Sequence, residues 1–141
     1  MNKVFYALSW GSIVGSMVMM TIAGYWLLYP YNPTTFNSQP FEILTPRVKV
    51  NKPVMFRVNY CKNDSNIPEI TRSFVDGVIY VTPSFAGNNA DIGCREVIAL
   101  VNVPETLPPG TYHIVSTYKY KVNPIRTIEI TADTEDFEVI K

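Results

Sequence analysis

Between Lys3 and Glu42 the chain carries no charged residue, and residues 4–29 form a nearly unbroken apolar run. A bilayer core of roughly 30 Å is crossed by about 20 mostly apolar residues as a helix, because backbone groups in lipid must satisfy one another. The run is long enough to span with room for tilt. It constrains everything downstream, which reads as an ectodomain on an anchor. A cleaved signal peptide is the alternative. Its apolar region is about 7–15 residues with small residues before the cut, and a cut after Ala23, with Thr21 two residues earlier, would leave a greasy new terminus. The length favours an uncleaved signal anchor over residues 1–29.

Aromatic residues mark both ends of the run: Phe5, Tyr6 and Trp10 on one side, Tyr25, Trp26, Tyr29 and Tyr31 on the other. Such rings settle at the two membrane interfaces. Lys3, the one flanking charge, puts the N-terminus in the cytoplasm by the positive-inside tendency. Ala7, Gly11 and Gly15 recur every four residues, with Ser12 and Ser16 alongside. Small residues at that spacing let two helix backbones approach closely. They are the candidate contact surface for self-association or for another membrane or envelope protein. Gly and Ser are also simply frequent in membrane helices.

Residues 30–40, with prolines at 30, 33 and 40, read as a semi-rigid spacer. Residues 41–141 read as short strands between turn signals. In residues 53–61, Val54, Phe56, Val58 and Tyr60 alternate with Met55, Arg57 and Asn59, the period of a half-buried strand. Residues 41–44 and 48–50 flank Thr45-Pro46, which suggests a strand that breaks and switches sheet. Residues 70–74 and 78–81 are one long strand or two bent at Asp76-Gly77. Residues 82–93 read as a loop, and residues 94–103 and 111–122 as strands. In the second of these Tyr112, Ile114, Tyr118, Tyr120 and Val122 share one face. Residues 126–131 and 137–140 close the set. About seven strands without a helix signal predict an all-β, antiparallel β-sandwich behind one transmembrane helix.

The stretch LPPGTYHI, residues 107–114, resembles the approach to strand F of immunoglobulin-like and fibronectin-like domains. The resemblance implies that Gly110 supplies the turn and that Tyr112 is a corner tyrosine, its hydroxyl bonding to the upstream loop. The antibody-type pattern is missing: no Cys follows Tyr112 by two residues and no Trp stands in the third strand. The chain therefore resembles a bacterial or phage-type Ig-like domain. Its layout, an anchor followed by one domain ending in an N-P-x-R hairpin and F-E-V, is similar to small accessory membrane proteins of tailed phages and their hosts. In an Ig-type sandwich the strand ending at Cys61 and the strand opening at Cys94 are antiparallel neighbours. The resemblance so implies a Cys61–Cys94 disulfide, which an oxidising compartment permits. Two free thiols in a reducing compartment are the alternative.

Twelve basic and twelve acidic residues give zero formal net charge. Nucleic acid is not an expected partner, because that binding rests on neutralising phosphates. Two cysteines and one histidine do not make a metal set at ligand spacing, and no cofactor is implied. His113 falls on the expected solvent face, no serine stands in a G-x-S-x-G turn, and the acidic group Asp133, Glu135, Asp136 and Glu138 reads as a solvated edge or bulge. The expectation is a non-enzymatic, single-pass protein with its C-terminal domain in the periplasm or outside the cell. It would work by protein–protein contact through the 84–93 loop, the 62–68 loop, or the outer face carrying Met55, Ile98 and Leu100. An alternative from another class is a phage-encoded membrane effector, for superinfection exclusion or lysis control, acting through its helix.

Overall fold

The computed structural model describes residues 2–89 and 91–141; the side chains of residues 2–9 also lie outside the description. Two compact units emerge, one holding the residues up to 31 with residues 122–126, the other residues 32–121 with 127–141.

The first unit is built on helix α1, Asn2–Leu28. Its segment Trp10–Leu28 is long and apolar enough to cross a membrane, and none of that segment is buried against protein. A helix apolar on all sides is of the kind found in a protein core or a membrane span. Thr21 returns its hydroxyl to the Met17 carbonyl at 2.8 Å, which keeps that polar group satisfied inside the helix. The last carbonyls of a helix lack intrahelical donors. In this unit Asn123 Nδ2 donates to the Trp26 carbonyl at 3.0 Å, and Arg126 donates to the carbonyl of Tyr29 just beyond the helix.

The second unit contains two sheets. The first holds β1 (Thr34–Phe36), β2 (Glu42–Ile43), β4 (Pro53–Lys62) and β8 (Gly93–Asn102). β1 and β2 follow one another along one edge of β4, and β8 pairs antiparallel along its whole other edge, from Pro53↔Asn102 to Lys62↔Gly93. The second sheet is centred on β9 (Gly110–Asn123) and runs β3 (Arg47–Lys49), β11 (Phe137–Ile140), β9, β5 (Glu69–Asp76), β6 (Val78–Val81); β10 (Arg126–Asp133) also pairs with β9, and β7 (Phe85–Ala86) with β5.

Inward residues of the two sheets make the core. Val54, Phe56 and Val58 come from β4, Phe74 from β5, Tyr112, Ile114, Tyr118 and Tyr120 from β9, and Phe137 and Val139 from β11. Phe41, fully buried, stacks on Phe56 with ring centroids 6.1 Å apart, and Phe36 meets Tyr118 across the sheets at 5.0 Å. The alternation expected for residues 53–61 and 111–122 is the alternation observed.

Four expectations need correction. The 30–40 segment is not wholly a spacer, because β1 lies within it and Thr34 is buried with its hydroxyl 2.6 Å from the Tyr120 hydroxyl. Short polar residues between prolines can still complete a ladder when a free strand edge is offered, as β4 offers here. The 70–81 segment is a tight hairpin, turned at Gly77 with φ +63°, a conformation open to glycine. The 82–93 segment contributes β7. The strands are not all antiparallel, since β11 pairs parallel with β3. That parallel pair follows from the switch at Thr45-Pro46: β2 stays on β4 while β3 crosses to the other sheet.

Candidate functional site

Cys61 and Cys94 face each other in the β4–β8 register and are joined by a disulfide. Both lie on the outward parity of their strands, and Cys94 is exposed. The same outer face carries Met55 opposite Leu100 and Arg57 opposite Ile98. Ile98 and Leu100 are each more than half exposed. Arg57 pairs with Glu42 at 3.0 Å and with Glu96 at 3.3 Å, so an apolar strip lies beside a short ion-pair chain on a covalently fixed strand pair.

At the opposite end of β9, the Tyr112 hydroxyl donates to the Pro108 carbonyl at 2.9 Å, the bond that the Ig-like resemblance implies. Burial pushes the Tyr112 hydroxyl above its ordinary pKa, with smaller contributions from Tyr80 and Asp76. Gly110 stands where a Cβ would meet Asp76 Oδ2 at 3.1 Å, so the close approach of that carboxylate uses the missing side chain, while the Tyr112 ring at 3.4 Å is in ordinary contact distance. His113 lies 3.7 Å from Asp136. The acidic group serves local structure: Glu138 pairs with Arg47 at 2.8 Å, and Glu135 accepts from the Ile43 amide at 3.1 Å.

On α1, nothing lies within 4 Å of a Cβ built on Gly11 or Gly15, and Ser12 and Ser16 are exposed. The side chain of Ala7 lies outside the described residues.

Sequence reasoning missed a cleft of about 380 Å³ between the two sheets. β1, β4 and β8 supply one wall, β5, β7 and β9 the other. Its surface is mostly apolar, with the Arg72 guanidinium among the rings and the buried Lys62 also in the lining. Arg72 occupies an inward position of β5, between Ile70 and Phe74, and faces Ser116 across the β5–β9 pair. Its guanidinium carbon sits 5.5 Å from the Phe56 ring centroid and 4.9 Å from that of Phe85. One terminal nitrogen donates to the Leu100 carbonyl at 3.4 Å, while the buried Nε has no hydrogen-bond partner. Burial lowers the Arg72 pKa, opposed by Tyr118. Tyr118 is pushed up to about 12, first by burial, with the nearby Arg72 cation pulling the other way. Burial also raises Tyr120, and its bond to Thr34 opposes that shift. The sequence signal for this site was parity: in E-I-T-R-S-F the arginine shares its face with two hydrophobes, and a serine interrupts the inward row of β9.

No known protein family matches the chain. None of the curated proteins matches it either. Among solved structures, similar folds include a Niemann-Pick type C2 protein from Japanese carpenter ant (TM-score 0.48, 9% identity, 75% of this chain and 99% of that one). Another is the CARDB domain of a Pyrococcus furiosus protein in complex with di-metal ions (0.38, 15%, 78% and 96%). A third is a Pseudomonas fluorescens alkylpurine DNA glycosylase bound to DNA containing an abasic site analog (0.38, 9%, 86% and 33%). All three scores fall below 0.5, and the functional reading rests on this chain's own residues.

Proposed function

We propose that the chain is a membrane-anchored accessory protein, a single-pass helix carrying a disulfide-stapled Ig-like β-sandwich outside the cytoplasm, and that it works by binding another envelope protein and not by catalysis. The observation that carries this reading is the outer face of β4 and β8. There Ile98 and Leu100 stay exposed opposite Met55 and the Arg57 ion pairs, on strands that Cys61–Cys94 holds together. Exposed apolar residues rimmed by charges have the make-up of a protein contact surface, and the disulfide supports an oxidising compartment. Photo-crosslinking from positions 98 and 100 in native membranes tests it. The expected result is a protein adduct that disappears in the Ile98→Asp/Leu100→Asp double variant. Adducts to lipid alone, or adducts unchanged by the double variant, overturn it.

A second reading has a phage-encoded effector act through its helix, and the four-residue spacing of Ala7, Gly11 and Gly15 supports it. Replacing residues 1–29 with an unrelated membrane helix separates the two. Retained activity favours the sandwich face, lost activity the helix.

A further inference from the structure

We propose that the cleft between the sheets binds a small anionic amphiphile, a molecule with a compact alkyl or aromatic body and one carboxylate that pairs with Arg72. The proposal stands apart from the protein-contact reading, which uses the outward side chains of β4 and β8, with Ile98 at the rim shared between the two.

The charge argument comes first. A guanidinium offers five N–H donors and stays protonated in proteins. Arg72 directs this group to the inward side of β5, among Phe56, Phe85 and the edge of Leu100. Two ring faces and one long bond to a carbonyl are the partners it has, and Nε has none. Among the described residues the five ion pairs involve Arg47, Arg57, His113 and Lys119, never Arg72. A charge taken from water is costly unless it is paired and hydrogen-bonded. The site therefore keeps a half-buried cation whose Nε lacks a partner and which forms no ion pair among the described residues, and a planar carboxylate matches its fork with two parallel bonds.

The shape argument agrees. About 380 Å³ lies at the small end of the range for ligand cavities, which are mostly apolar with a few placed polar groups. Phe36, Val58, Val97 and Ala99 supply the apolar wall; Tyr118 and Tyr120 supply rings and neutral hydroxyls. Ser116, opposite Arg72, is the one small residue in the inward row of β9 from Tyr112 to Tyr120.

The test uses the full chain in phosphatidylcholine nanodiscs, with empty nanodiscs as the blank, and radiolabelled octanoate in equilibrium dialysis. Saturable binding is expected, with 1-octanol and octylammonium each at least about tenfold weaker as competitors. Arg72→Gln should weaken octanoate about tenfold or more while leaving 1-octanol unchanged, with disulfide formation on a non-reducing gel as the folding check. Ala99→Trp, which fills the wall and keeps Arg72, should abolish both. No saturable binding above the blank, octylammonium equal to octanoate, or octanoate binding unchanged in a folded R72Q overturns the proposal. Should R72Q fail to fold, A99W decides with the wild-type competition: octanoate binding retained in A99W overturns it.

Discussion

Tyr118 shows how a single side chain reports on the interior. It is buried between the sheets, against Phe36, and its pKa is raised to about 12 because the phenolate would lose its hydration there. Unfolded, it would ionise near 10. Below pH 10 both states hold the proton, so the native preference is intact. Between about 10 and 12 the unfolded chain gives up its proton first, and stability falls as pH rises. Two pH units correspond to roughly 2–3 kcal/mol. Tyr118→Phe is expected to flatten that part of a rapid alkaline denaturation profile, read by tyrosine absorbance and protease sensitivity; an unchanged slope from pH 10 to 12 would contradict the assignment. Tyr112 and Gly110 illustrate a different dependence: the corner hydroxyl is fixed by the Pro108 carbonyl, while the glycine beside it leaves room for the Asp76 carboxylate.

At the scale of elements, the β4–β8 pair dominates the first sheet, with ten consecutive partnered positions and a covalent bond near one end. Closing a loop between residues 33 apart removes unfolded-state entropy worth about 3–4 kcal/mol in the chain-entropy treatment. The double substitution Cys61→Ser/Cys94→Ser should lower unfolding stability by about that amount in urea-dependent proteolysis, without loss of β-signal in circular dichroism below the transition. A change under about 1 kcal/mol would mean that the ladder alone fixes this pair. The position of β1 makes the companion point. Its residues, Thr34, Thr35 and Phe36, all favour strands, but three residues close after a proline are too short a run to show a period, and they become a strand because residues 60–62 of β4 present free backbone groups.

For the whole molecule, the helix and the disulfide make claims about location that can be checked together. In cells expressing the full chain, the protein is expected to stay in the membrane pellet after alkaline carbonate washing, to run at full length, and to carry an oxidised Cys61–Cys94 pair after acid quenching and thiol labelling. A shorter, soluble species would mean the apolar segment is removed as a leader. A reduced pair would place the domain in the cytoplasm.

By itself the sequence determined the apolar run of the helix, the alternating strands at residues 53–61 and 111–122, and the inward residues Val54, Phe56 and Val58 of one and Tyr112, Ile114, Tyr118 and Tyr120 of the other. Each of these rests on a local period, 2.0 or 3.6 residues, that burial on one face writes directly into residue order. The cysteine pairing was legible only through a resemblance that supplied strand neighbours. Tertiary structure alone decided the rest. It put β1 on β4, carried β3 across to lie parallel to β11, and brought Arg72 from β5 against Phe56 from β4 and Leu100 from β8. These contacts join residues far apart in the chain, so no local pattern encodes them. The inter-sheet cleft exists only where two separately patterned faces meet.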